Sequence, residues 1–201
     1  LEHMVFKGTE KRSASQITRE IERVGGEFHA FTAREYTCFH LTLLSRDLEL
    51  GMSILSDILL GSVFDPEEIE RERKVILQEI AMVEESPEEI AQDLYYELLY
   101  GKHGLGRSIL GSASSVRRMK RADLLRYFRK HYRPDNMIVS VAGDVSPARV
   151  LKSLGPLSKR AWPDRPARPP SRRERGFELA PRVREGLWWI KRPTEQAHIV
   201  W

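Results

Sequence analysis

Cysteine is nearly absent from this chain. Cys38 is the only one in 201 residues, so an intrachain disulfide is impossible. Thr37 and Phe39 flank it in a strand-like pattern, and the thiol is expected to be buried and inert. No apolar run approaches the length that spans a bilayer. An excess of either charge sign is also lacking. Lys and Arg number 33 against 29 Asp and Glu, a formal net charge of +4. Much of that excess lies in the basic stretch 159–175, which reads as a solvated linker, so the balance argues against nucleic acid as a partner. Leu105-Gly106-Arg107 makes a glycine-rich turn without the Lys-Ser/Thr of a phosphate loop, so nucleotide binding is not supported. No internal repeat is present. No leader peptide is legible at Leu1, which leaves the compartment open.

What is present is a lean but sufficient globular composition, 41% hydrophobic and 31% charged, long enough for one good core or two small ones. Residues 1–6 read as the end of a helix stopped near Gly8. Ser13 is placed to cap a helix over 14–24, with Ile17, Ile21 and Val24 on one face and Gly25-Gly26 ending it. Glu27–Ala33 and Glu35–Leu44 read as paired strands. Leu48, Met52, Leu55 and Leu59 recur at helical spacing within 46–60. Asp65-Pro66-Glu67-Glu68 is a helix start with a cap, a first-turn proline and acidic residues at the positive end of the dipole. That helix should run to about Glu85, and Ser86-Pro87-Glu88-Glu89 starts another that ends near Gly101. A loop over 102–112 precedes helix from about Ser114 to His131, with a break near Lys120. Asn136–Ala142 is predicted as a buried strand and Ser146–Leu154 as a helix. The proline-rich stretch 155–175 is an extended linker. Phe177–Leu179, Leu187–Lys191 and His198–Trp201 look like strands, the last one cut off at its start. This order predicts an α+β fold, with helices packed on a largely antiparallel sheet.

The chemistry concentrates in two places. Leu1-Glu2-His3-Met4-Val5-Phe6-Lys7-Gly8-Thr9 opens the chain, and Glu70–Ile80 carries Glu72 and Glu79 seven residues, or two turns, apart on one helix. A Glu-His pair with a Glu from a distant helix can build most of a catalytic zinc site. The opening segment resembles the tail of the H-F-L-E-H-M-x-F-K-G-T segment of the pitrilysin/insulinase family of inverted-motif zinc metallopeptidases, most closely its processing-peptidase β and short bacterial processing-protease branch. Gly25-Gly26-Glu27-Phe28-His29-Ala30-Phe31-Thr32 resembles the family's G-G-x-x-N-A-x-T strand, with His29 where Asn is usual. Further matches are the 70–80 helix, Leu105–Gly111, Tyr132-Arg133-Pro134-Asp135-Asn136-Met137 and Ala142-Gly143-Asp144-Val145.

The resemblance implies His3 and Glu79 as ligands of one Zn2+, Glu2 as the general base, and Glu72 as a supporting carboxylate that holds His3 or tunes the metal. Glu72 is also open to a plainer reading, since this helix is rich in solvated glutamates. The first histidine of the motif would fall two positions before Leu1, outside the chain. His29, Ala30 and Phe31 are implied as the strand edge that holds an extended peptide. Phe31 lines a side-chain pocket or is plain core, and the pattern does not choose. His29 replaces the absent ligand poorly, because a strand does not reproduce an i,i+4 pair. His40, His103, His131 and His198 lack ligand-like spacing. The organisation expected is a catalytic domain over 1–158, the linker 159–175, and over 176–201 the start of a second, truncated peptidase-like half, supplied in full by the same chain or a partner subunit. The compartment expected is bacterial cytoplasm or periplasm. The activity implied is a zinc metalloendopeptidase acting on extended peptides or presequences. The alternative is a non-catalytic scaffold or peptide-binding partner subunit of the same fold. With two protein ligands and unpaired apolar strands, the chain is expected to bind zinc weakly and to self-associate.

Overall fold

A computed structural model describes residues 1–155, 157, 186–193 and 195–201. The order is α1 (Glu2–Val5), α2 (Ala14–Glu22), β1 (Glu27–Thr32), β2 (Thr37–Thr42), α3 (Leu48–Gly61), α4 (Pro66–Glu85), α5 (Pro87–Tyr100), α6 (Ala113–Arg118), α7 (Arg121–His131) and α8 (Pro147–Ser153), with short 3-10 turns between some of them. The fold is α+β: helices with an antiparallel hairpin, β1 pairing with β2.

The local signals act where they stand. The Ser13 side chain accepts from the Gln16 backbone while Gln16 returns the bond to the Ser13 N–H, a complete capping box. Asp65 Oδ1 accepts from the amides of Glu67 and Glu68 at 2.8 and 3.2 Å and starts α4. Ser86 caps α5 ahead of Pro87. Between α1 and α2 the chain reverses at Gly8, whose φ of +122° is open to glycine and strained for other residues.

The described residues divide into two compact units. The first holds Leu1–Thr32, Thr37–Glu72 and residues 119–155 and 157. Its core gathers Met4 and Val5 of α1, Ile17 and Ile21 of α2, Ile54 and Ile58 of α3, Phe64, Ile69 and Leu124. Each such side chain contributes roughly 1.5–3 kcal/mol relative to exposure. An aromatic chain runs through this unit. Phe6 meets Phe28 edge-on at 4.8 Å and Phe39 at 6.2 Å; Phe39 meets Tyr132, Tyr132 stacks on Phe128 at 4.6 Å, and Phe128 meets Phe64 at 5.1 Å. Phe64 is 1% exposed yet has a φ of +50°, so its burial holds a backbone conformation that costs energy. Thr9 and Arg12 both bind Asp57 Oδ2, at 2.7 and 2.9 Å, and tie the turn after α1 to α3.

The second unit holds Ala33–Tyr36, Arg73–Arg118 and the described part of 186–201. Arg34 organises it. Its guanidinium binds Asp93 at 2.8 Å and the carbonyls of Leu105 and Arg107, and it stacks 3.8 Å from the Tyr96 ring centroid. Gly106 packs so closely on Gly101 that an added Cβ would lie 2.4 Å from the Gly101 oxygen. Gly106 is therefore a packing requirement of this turn.

Several expectations fail. Residues 137–142 form no strand, and Ile138 is 96% exposed instead of buried. Residues 187–191 and 198–201 are likewise not strands, and Trp201 is fully exposed. The physical reason is common to both: β-branched and aromatic content favours a pleated, half-buried surface only when a neighbouring strand supplies one. Among the described residues none pairs with these segments. Cys38 is half-buried, not buried, because the face it shares with His40 is turned away from the core. Phe177–Leu179 and the linker 159–175 lie outside the described residues.

Candidate active site

Alternation along the hairpin decides what each strand residue can do. Phe28, Ala30 and Thr32 lie opposite Leu41, Phe39 and Thr37, and Glu27, His29 and Phe31 lie opposite Thr42, His40 and Cys38. The first set faces α1 and the core. The second faces outward, where the His29 and His40 rings stack at 5.4 Å and Phe31 is 47% exposed. Phe31 is therefore not core. Among the described residues β1 pairs with β2 alone.

In α1, Met4 and Val5 are buried and anchor the turn, while Glu2 and His3 are half-buried. His3 Nδ1 lies 2.7 Å from Glu72 Oε2. Glu72 Oε1 lies 2.6 Å from Lys7 Nζ. Glu72 is 6% exposed, and burial by itself would push its carboxyl up. The hydrogen bonds from Lys7 and His3 outweigh that and hold it below the usual carboxylate value. A charged Glu72 then makes Nδ1 the protonated nitrogen of His3, which assigns the lone pair to Nε2, the arrangement of metal-ligating histidines. Glu2 Oε2 accepts a hydrogen bond from Thr32 Oγ1 at 2.6 Å. Thr32 Oγ1 lies 3.3 Å from Thr37 Oγ1.

The structure thus brings His3 and Glu72 together and sets Glu2 beside them on α1, against the end of β1. Glu79 stands half-buried two turns beyond Glu72 on the same helix, in the part of α4 that belongs to the second unit. Lys7, Thr32 and Thr37 carried no role in the sequence reading. Thr32 was open to detection, since it shares the parity of Phe28 and Ala30 and so the face toward α1; Lys7 meets Glu72 only through the fold.

Zinc is the metal the sequence pattern implies. The donor chemistry suits it in one respect: an imidazole whose tautomer is set by a buried carboxylate. A full donor set is not assembled, for among the described residues no group of three or more His, Cys, Asp or Glu side chains is disposed to hold a metal ion.

The described residues define an α+β scaffold with the Glu2-His3 pair on α1, beside the β1–β2 hairpin. Its likeness to solved structures is broad. A protease from Helicobacter pylori superposes with a TM-score of 0.79 over 85% of this chain and 41% of that one, at 20% identity. A putative M16-like peptidase from Alicyclobacillus acidocaldarius gives 0.73 over 83% and 38%, at 24% identity. Residues 1–113 match the family model described as Insulinase (Peptidase family M16), and residues 118–201 match the Peptidase M16 inactive domain. The chain belongs to the M16 insulinase-type peptidase family. An uncharacterized zinc protease of Streptomyces coelicolor is 39% identical across the whole chain, and the uncharacterized zinc protease YmxG of Bacillus subtilis is 38% identical over 73% of it. The chain spans 44% and 36% of the lengths of these two relatives. No helix among the described residues is long and apolar enough to cross a membrane.

Proposed function

We propose that this chain is the catalytic half of a zinc-dependent endopeptidase that cleaves extended peptides, with residues 1–158 as the catalytic domain. The observation that carries the reading is the 2.7 Å contact between His3 and the buried Glu72 carboxylate, immediately beside Glu2. In this reading His3 and Glu79 hold the metal, and Glu72 fixes the imidazole. The bound ion would polarise the scissile carbonyl and lower the pKa of a water toward about 7. Glu2 takes the proton of the attacking water and passes it to the leaving amine. The edge of β1 at His29, Ala30 and Phe31 holds the substrate backbone extended, through main-chain hydrogen bonds that carry little sequence preference. Phe31, exposed on the outer face, offers an apolar contact to a substrate side chain. A second peptidase-like half, in the same protein or a partner subunit, supplies further substrate contacts.

A second reading has its own support. Residues 118–201 match the family's inactive-domain model, and a non-catalytic peptide-holding subunit needs no complete donor set. Glu2, His3 and Glu79 together in one chain favour the enzyme. Metal analysis and a peptide-cleavage assay on the natural-length protein decide between them. Glu2→Gln should keep zinc and lose cleavage, because an amide cannot accept the proton, and His3→Ala should lose both. Wild-type cleavage by Glu2→Gln would remove Glu2 as the base. A histidine encoded two positions before Leu1 supports the enzyme; another residue there favours the scaffold.

A further inference from the structure

We infer that Thr32 is a positioning residue for Glu2, aligned in turn by Thr37 through a one-way chain of hydroxyl hydrogen bonds. The inference rests on the reading of Glu2 as the base. Its geometry lies entirely within the first unit, on β1, β2 and α1.

Donor counting sets the direction. A hydroxyl has one proton to give. Thr32 spends its proton on the Glu2 carboxylate, an acceptor only, at 2.6 Å. It can therefore only accept from Thr37, 3.3 Å away. A single ordering satisfies both contacts: Thr37 to Thr32, Thr32 to Glu2. Thr37 stands opposite Thr32 in the register of β1 and β2, so the pairing of the hairpin holds the two hydroxyls together.

Thr32 is exposed, and a hydrogen bond of this kind adds only about 0.5–1.5 kcal/mol to a fold. What it sets is direction. With Oε2 held, Oε1 of Glu2 has a defined aim. Thr32 also follows His29, Ala30 and Phe31 on β1, so a peptide paired along that edge steadies the strand whose next residue holds the base. Substrate binding and base alignment share one backbone segment.

The test combines kinetics with a side-chain measurement. In the natural-length protein, Thr32→Val should lower kcat about 10- to 100-fold, the scale of a misplaced catalytic group, with KM and zinc content unchanged. Thr32→Ser should restore most of kcat. Thr37→Val should lower kcat as well, and Thr32→Val with Thr37→Val should be no slower than Thr32→Val alone, since both break one chain. Additive losses would overturn the chain. Loss of cleavage in Glu2→Gln with normal kcat in Thr32→Val would overturn the role of Thr32 and leave the base in place. Normal cleavage by Glu2→Gln would remove the base, and the role proposed for Thr32 with it. Independently of activity, side-chain couplings in the NMR spectrum should show one Glu2 rotamer in the unaltered chain and averaging in Thr32→Val. A single unchanged rotamer in Thr32→Val would also overturn the proposal.

Discussion

His3 and Glu72 are 69 residues apart in sequence and 2.7 Å apart in the fold, Nδ1 to Oε2. Glu72 takes Lys7 on its other oxygen, so one buried carboxylate serves two basic groups from the same short segment. Glu72→Gln keeps the shape but weakens both contacts. Removing such an outer partner typically costs 10- to 100-fold in metal affinity, and a loss of about that size is expected for Glu72→Gln. Zinc titration against a chelator checks it; unchanged affinity would show that Glu72 does not orient the imidazole.

Helix α8 is tied to α3 by a two-pronged contact, Arg149 Nε and Nη2 to the two oxygens of Glu49 at 2.8 and 2.7 Å. Arg149 foremost, with the Glu49 backbone amide, lowers the Glu49 carboxyl to about 2. Because the folded value is depressed, the contact's contribution is fully present above the ordinary carboxylate value. It fades as pH falls from there through about 2. Arg149→Met should return the Glu49 titration, followed by carboxyl NMR, to the usual range. A midpoint left near 2 would show that another group depresses it.

Phe64 fills the core at 1% exposure and closes the aromatic chain through Phe128. Phe64→Ala should cost about 3–5 kcal/mol, measured by denaturant unfolding of the first unit's signal. A loss below about 1 kcal/mol would mean that the surrounding core collapses into the space the ring leaves.

In the second unit, Leu187, Trp189, Ile190, Ile199 and Trp201 are all more than half exposed. Extended apolar segments with unpaired backbone recruit other chains. The 201-residue chain should therefore scatter light as an associated species. Leu187→Lys with Trp189→Lys should reduce that scattering. A clean monomer at high concentration would show that these side chains find cover within the molecule.

Elements whose signals are local were legible in the sequence. The Ser13 box, the Asp65 cap before Pro66 and the Ser86-Pro87 start mark α2, α4 and α5 because a cap acts within one helical turn. The 27–44 hairpin followed from β-branched and aromatic content around a short turn, although its strands are shorter than expected. Segments 136–142, 187–191 and 198–201 misled for the opposite reason: their composition is that of strands, but a strand exists only through its partner.

By itself the sequence determined the α+β class, the helix starts and the residue types of the candidate site. Those depend on patterns a few residues long and on the spacing of Glu2, His3, Glu72 and Glu79. Only the tertiary structure decided that Glu72 takes His3 and Lys7 together, that Thr32 takes Glu2, and that Phe31 faces outward. These outcomes turn on which faces of α1, β1 and α4 meet. Packing sets that geometry, through the buried Met4 and Val5 beneath α1 and the aromatic contacts of Phe6, Phe39 and Tyr132, across separations that no local pattern records.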